Sequence, residues 1–411
     1  MPKISNRGKL MISSPIRSLI PSARKAKLKG TSIFHLNIGQ PDISTPPEAL
    51  KAVSNHYSTT IKYGPSEGYQ SLRSTMAEYY KRFQVTLESD HIYVTTGASE
   101  AILFALMACC DQYSEIIIPE PFYANYLGFA GMAHLNIVPV TTKIETSFAL
   151  PSVEEIESKI TSETQAILIC NPGNPTGQLY MEDDLKELIH LAIRKDIFLI
   201  VDEVYREFCY EKPFTSALFF ENGAKHVIAI DSISKIFSSC GARIGSIATK
   251  NEEVLHTINK YAQLRLSPPH YGQILAEACY QNIEPYISKV RSQYKVRRNV
   301  LYEELNKAGI ENMYKPDAAF YNMVPLPIED STAFSSWMLS DFSHKGKSVM
   351  LAPGSGFYVH QELGRNQVRI AYILDIEKLR EAIECLVLGL EKYQRLGSNN
   401  QKNNHLTTNA Y

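Results

Sequence analysis

From about residue 90 to residue 250, short apolar runs alternate with longer segments of helical period, and this alternation leaves little choice of fold. The runs occupy residues 91–95, 115–119, 166–170, 197–201, 226–230 and 244–249. A chain patterned in this way forms an α/β domain, with a mostly parallel sheet between helices on both faces. Ligands of such sheets gather beyond the carboxyl ends of the strands. Five clusters stand there: Thr96-Gly97-Ala98-Ser99, Pro121-Phe122-Tyr123, the run from Asn171 through Asn174 to Gly177, Asp202-Glu203-Val204-Tyr205, and Ser232-Ile233-Ser234-Lys235. Separate loops thus converge on one edge, and that coincidence outweighs any single motif.

The chain has 411 residues, 44% hydrophobic and 21% charged, enough to bury a large core in two lobes. Helical period over residues 284–308 predicts a long connecting helix. Strands are expected at 319–324 and 367–372, in a smaller lobe shared with the N-terminal segment. A net charge of −1 supplies no field for gathering nucleic acid or anionic lipid, and no apolar run reaches the length of a membrane span. The seven cysteines are scattered, odd in number and free of any Cys-x-x-Cys pair. This suits a reducing compartment, so a cytoplasmic location is expected, and no metal site. Residues 1–41 carry eight basic residues and no acidic one, a composition shared with transit peptides. Ile16, Leu19, Ile20 and Ala23 nevertheless fall at helical spacing and lead into an apolar run at 33–38, which reads as an integral arm and helix. Residues 397–411 are polar and predict a disordered tail.

Ser232-Ile233-Ser234-Lys235, with Arg243 eight residues further on, carries the most chemistry. The lysine follows the run at 226–230, where a strand ends and a site can open. A desolvated lysine loses its proton readily and can form a Schiff base with an aldehyde, while the serines and Arg243 suit a phosphate. An aldehyde and a phosphate in one ligand describe pyridoxal phosphate (PLP). A surface lysine beside a polar turn would present the same four residues, so the other loops must decide.

Asn174-Pro175-x-Gly177, Asp202-x-x-Tyr205, Ser232-x-Ser234-Lys235 with Arg243, and Arg369 follow one another in a known order and spacing. From about residue 36 to residue 388 the chain resembles the class I and II aminotransferases of PLP fold type I, the aspartate aminotransferase superfamily. The resemblance implies a large domain with a seven-stranded, mostly parallel sheet between helices, and a smaller α/β domain built from both chain ends. The expected boundaries are 1–44 for the arm and part of the small domain, 45–285 for the PLP-binding domain, 286–395 for the C-terminal domain and 396–411 for the tail.

For the site, the resemblance implies that Lys235 anchors the cofactor covalently and moves the substrate Cα proton. Asp202 would pair with the protonated ring nitrogen, since a carboxylate at a buried strand end is costly without a partner; a helix N-cap or a structural ion pair is the plainer alternative. Asn174 and Tyr205 would hydrogen-bond the ring's phenolic oxygen, although Asn and Pro at 171–177 make a turn in any case. Tyr123 would stack on the ring. Gly97, Ala98 and Ser99 would offer the phosphate a helix start, with Ser232, Ser234 and Arg243 completing the cup. Tyr63 matches the tyrosine that reaches the phosphate of a neighbouring subunit, which makes the functional unit a homodimer. Arg369 would take the substrate α-carboxylate as a bidentate pair, with Asn174 and the Gly39 backbone beside it. A carboxylate held in the plane of the imine favours breaking the Cα–H bond over loss of carbon dioxide.

The pattern departs at Ser99, where some bacterial aspartate aminotransferases carry a lysine that contacts a dicarboxylic substrate. Ala318 in Pro316-Asp317-Ala318-Ala319 and Ala242 in Gly241-Ala242-Arg243 also replace usual residues. Arg17 and Arg265 are the basic candidates for a distal carboxylate, with a solvated charge as the plainer reading of each. The resulting expectation is an aminotransferase that moves an amino group from an L-amino acid, with aspartate leading, to 2-oxoglutarate by a ping-pong mechanism. An aromatic or broad donor range is the near alternative, and a PLP lyase acting on β- or γ-substituted amino acids a further one. A PLP-dependent transcription regulator would need a DNA-binding domain ahead of the fold, where only some thirty residues stand. A nicotinamide dehydrogenase would need Gly-x-Gly-x-x-Gly after an early strand, which is absent.

Overall fold

The structure is a computed structural model that describes residues 2–5, 8–9, 11, 14, 16–281 and 283–408. Its backbone divides into two compact units. One holds Gln40–Gln293 and Pro316–Ala319 with the first residues of the chain; the other holds Ser13–Gly39, Tyr294–Lys315 and Phe320–Tyr411.

Strand β1 (Ser32–His35) belongs to the second unit. The first unit is built on β2 (Ile92–Thr95), β3 (Glu115–Glu120), β4 (Asn136–Thr141), β5 (Thr164–Cys170), β6 (Phe198–Asp202), β7 (Val227–Ser232) and β8 (Gly245–Ala248). These form one seven-stranded sheet in the order β2-β8-β7-β6-β5-β3-β4, in which β8 runs against both its neighbours and the other pairs are parallel. Period-two alternation in the apolar runs explains why both faces are covered. Ile117, Ile167, Ile169, Leu199, Val201 and Val227 turn to one face, under helices Gln70–Tyr80, Glu182–Lys195 and His270–Tyr280. Ile116, Ile118, Leu168, Ile200, Ile228 and Ile230 turn to the other, under Ala98–Cys109 and Glu252–Arg265.

Strand β4 has no counterpart among the expected runs. Pro139 interrupts its apolar pattern, and a proline is tolerated there because β4 is an edge strand paired only with β3. The observed β7 extends two residues past the expected run, so that Ser232 ends the strand itself.

In the second unit, β1 pairs in parallel with β10 (Lys347–Met350). A three-stranded antiparallel sheet, with β12 in the middle, combines β9 (Tyr321–Pro325), β11 (Ala352–Pro353) and β12 (Gln367–Ala371). Leu19, Ala23 and Ala26 of the segment around helix Ile20–Leu28 are buried with Ile33, Leu339 and Met350, so the basic N-terminal segment is packed structure from Leu19 onward. The connecting helix spans Ile283–Lys307, and its residues up to Gln293 count with the first unit.

Helix Ile376–Thr408 continues through most of residues 397–411, and only 409–411 lie outside the described residues. That helix is already nucleated on the buried Leu379, Ile383, Leu386 and Leu390, and elongation needs no second nucleus.

Candidate active site

At the site end of the sheet, Gly245 is the ladder partner of both Thr95 and Ser232. The loop after β2, the loop before β8 and the turn after β7 therefore meet. Gly97, at φ +75°, opens helix Ala98–Cys109, and a Cβ there would lie 2.3 Å from Arg243 Nη2. At Gly245 a Cβ would lie 2.5 Å from the Gly97 carbonyl carbon and 2.6 Å from the Ala98 nitrogen. Gly245 is thus required by close approach of backbone, and Gly97 by its positive φ. Arg243 donates to the Thr96 and Cys240 carbonyls, each at 3.2 Å, which holds its exposed guanidinium beside the helix start. The first N–H groups of that helix have no intrahelical acceptor, and its dipole favours an anion.

Ser232 caps the short helical turn Ile233–Ile236, its Oγ accepting from Ser234 N at 3.0 Å and bonding Ser234 Oγ at 2.7 Å. The two hydroxyls, the guanidinium and the helix start make a cup suited to a phosphate. Ala98 and Ser99 occupy the first two helical positions. Lys235 stands in the capped turn, half-buried.

Asp202 is the last residue of β6 and is 4% exposed. It accepts from Tyr126 OH at 2.8 Å and from Val204 N at 3.3 Å, both neutral donors. Burial pushes its pKa up to about 6, against the pull of those two hydrogen bonds and the field of Lys235. Here is a carboxylate whose surroundings leave it in need of a cation. Asn174, in the loop that follows Cys170, the ladder partner of Asp202, donates to Tyr205 OH at 3.5 Å, and both side chains are buried. Tyr123 is half-buried, edge-on to Tyr126 at 5.4 Å and 85°, with its hydroxyl held by Asn125 Nδ2 at 2.7 Å. Ile118, Phe122, Tyr126, Cys170, Asn174, Thr176 and Tyr180 line a small cavity behind this edge.

Arg369 and Gly39 lie in the second unit. Arg369, on β12, is 2% exposed, its guanidinium 4.5 Å from the Tyr321 ring centre and 4.9 Å from that of Phe357. It donates to the carbonyl of Asn37, two residues before Gly39. A Cβ on Gly39 would run into the Tyr321 hydroxyl at 1.6 Å, so this backbone is packed against the phenol. Tyr63 is 80% exposed on its own chain. Arg265 is corrected: it is no solvated charge but pairs with Glu100 at 2.7 Å and donates to the Ser66 and Val94 carbonyls. Arg17 is exposed.

Two features escaped the sequence. Tyr126, the hydrogen-bond donor to Asp202, stands three residues after Tyr123 and was hidden by its apolar helix. Arg206, Glu203 and Asp231 form a buried ion cluster behind Asp202, whose only trace in the sequence is the density of charge in Asp202-Glu203-Val204-Tyr205-Arg206-Glu207.

The pattern of the family described as Aminotransferase class I and II matches residues 31–386. The chain belongs to this family. Over 375 residues the aminotransferase is 30% identical to an aspartate aminotransferase of Thermotoga maritima, covering 90% of this chain and 95% of that one. Aromatic-amino-acid aminotransferase 2 of Thermococcus litoralis is also 30% identical, over 93% and 96% of the two chains. Aspartate aminotransferase of Thermus thermophilus, solved with maleate, superposes with a TM-score of 0.86 at 26% identity, over 95% of this chain and 100% of that one.

Aminotransferases of this family use pyridoxal phosphate, and the residues here fit it. The Arg243 guanidinium lies against Gly97 at the helix start, beside the Ser232 and Ser234 hydroxyls, as a set of donors for a phosphate, and the buried Asp202, hydrogen-bonded by the neutral Tyr126 and Val204 donors, suits a cationic ring nitrogen. Among the described residues no helix is long and apolar enough to cross a membrane, and no group of three or more His, Cys, Asp or Glu side chains could hold a metal.

Proposed function

We propose that this aminotransferase moves the amino group of L-aspartate to 2-oxoglutarate in two half-reactions, as a cytoplasmic homodimer. The observation that carries the site assignment is the buried Asp202 in the field of Lys235. The choice of aspartate rests on the relatives named for it, among them the Thermus structure that holds a dicarboxylate.

Bound PLP supplies an aldehyde that captures an amine and a ring that accepts the electron pair released when a Cα–H bond breaks. Everything else falls to side chains. Asp202 would hold its negative charge opposite the ring nitrogen and so keep the ring cationic. Asn174 Nδ2 and Tyr205 OH would donate to the phenolic oxygen, and Tyr123 would pack on the ring. Arg243, Ser232, Ser234 and the N–H groups at Gly97, Ala98 and Ser99 would hold the phosphate, with Tyr63 of a second copy as a further donor. Arg369 holds the substrate α-carboxylate beside Asn174 and the Gly39 backbone, and its apolar box of Tyr321 and Phe357 strengthens that pair by excluding water. Lys235 Nζ then takes the proton from Cα as general base.

A panel of L-amino acids with 2-oxoglutarate tests the reading. Turnover should be fastest with aspartate and should show ping-pong kinetics; pyruvate and ammonia formed without an oxo acid would instead identify a lyase. An aromatic donor is the second reading, favoured by Ser99 at the position where a distal-carboxylate lysine would stand and by the Thermococcus relative.

A further inference from the structure

Alternation along β6 and β7 sends neighbouring residues to opposite faces of the sheet. Asp202 and Ser232 turn to the face of Ile200 and Ile230, and Glu203 and Asp231 to the other. On that other face, Arg206 is 2% exposed and its Nη2 lies 3.2 Å from Asp231 and 3.4 Å from Glu203. Each of those carboxylates adjoins a proposed cofactor contact, Glu203 following Asp202 and Asp231 preceding Ser232. The guanidinium also donates to Tyr80 OH at 3.1 Å and stacks 4.5 Å from the Tyr80 ring. Glu203 takes further donors from Ser216 Oγ at 2.9 Å and Ala217 N at 3.0 Å.

We propose that Arg206 is a positioning residue for the cofactor site: by neutralising Asp231 and Glu203 behind the sheet, it holds the ends of β6 and β7 together and leaves Asp202 as the carboxylate free to meet the cationic ring nitrogen. The inference rests on the assignment of Asp202 given above. One arginine faces two buried carboxylates. Burial raises the pKa of Asp231, and pushes Glu203 up to about 7, both against the pull of Arg206. Arg206 is charged despite its burial because Asp231, Tyr80 and Glu203 surround it. Tyr79 and Tyr280, from the helices packed on this face, and Glu207 are the other titratable groups here; Tyr126, Cys170, Lys235 and Asp231 are those around Asp202. Without the guanidinium, both carboxylates could remain buried only by holding protons. Carboxyls whose folded pKa is raised favour the fold at low pH and lose that contribution as pH rises, so the damage must grow toward alkaline pH.

The test is the dissociation constant of PLP from the holoenzyme, followed by absorbance from about pH 6 to about pH 8.5 and expressed relative to wild type. Arg206→Met should bind nearly as wild type at the acid end and about tenfold or more weaker at the alkaline end. Arg206→Met with Asp231→Asn, which removes a charge with its partner, should recover most of the loss and flatten the profile. If Arg206→Met does not fold, Arg206→Lys takes its place. It keeps one charged nitrogen but loses the planar group that lies over the Tyr80 ring, and a buried ammonium gives up its proton far more readily than a guanidinium, so an alkaline weakening, several-fold, is expected. Wild-type affinity at both ends, or a loss equal at every pH that Asp231→Asn leaves unrepaired, would overturn the proposal. Asp202→Asn separates the two readings: normal PLP affinity in that variant would instead remove the role of Asp202.

Discussion

Changing Asp202 to asparagine removes one negative charge and almost no volume, and its consequence can be worked out from the burial of that carboxyl. In the folded chain its pKa rises from the ordinary 3.8 to about 6, because desolvation outweighs the Tyr126 and Val204 hydrogen bonds. A rise of about two pH units corresponds to about 3 kcal/mol, at about 1.4 kcal/mol per unit. The folded state binds this proton more tightly than the unfolded chain, so between about pH 4 and pH 6 stability falls as pH rises. Above that window the cofactor-free enzyme carries the whole cost, and asparagine avoids it. Asparagine also offers one oxygen where the carboxylate offered two, a pH-independent loss of about 1 kcal/mol. Urea unfolding of cofactor-free wild type and Asp202→Asn at a series of pH values should therefore give a difference that moves by about 3 kcal/mol in favour of the variant from about pH 4 to about pH 8. With PLP added at the alkaline end, the order should reverse, because wild type gains the ion pair and the variant does not. Parallel curves without PLP, or equal stabilisation of the two proteins by it, would refute the reasoning.

Gly97→Ala places a methyl group against Arg243 at a position of positive φ, so its PLP dissociation constant should rise at least about tenfold with the far-ultraviolet spectrum unchanged; unaltered affinity would show that the cup tolerates a side chain. Arg369→Lys keeps the charge and loses the bidentate fork, and kcat/KM should fall by about 10- to 100-fold for every amino acid while PLP binding holds; an effect confined to acidic donors would give the arginine another role. Mixing inactive Tyr63→Ala and Lys235→Ala chains should recover activity, because each mixed dimer would contain one site with both residues intact. No recovery on exchange of subunits would place Tyr63 outside the neighbouring site.

Much of this fold could be read from local pattern. The strand runs ended where the loops of interest began, since a parallel strand buried on both faces leaves an uninterrupted apolar signature. Strand β4 was hidden because Pro139 breaks that signature, and its edge position is a property of the assembled sheet. Lys235, Asp202, Asn174, Tyr205 and Arg243 stand out in the sequence because each lies at or just beyond the end of an apolar run, where polar residues interrupt apolar surroundings. Tyr126 and Arg206 do not. Their partners, Asp202 and Asp231, stand 76 and 25 residues away in the numbering, and only the packing of β6 beside β7 and under the Tyr126 helix brings them into contact. The reading of Arg265 failed for the same reason, because its partner Glu100 comes from a distant helix.

All of these roles depend on Lys235 as the residue that binds the cofactor aldehyde. Reduction of the PLP-loaded enzyme with borohydride, followed by proteolysis and mass spectrometry, reads that bond directly. The expected result is one phosphopyridoxyl group per chain, on Lys235, and none on Lys235→Ala. A label on another lysine, or an unlabelled Lys235 in a protein saturated with PLP, would contradict it.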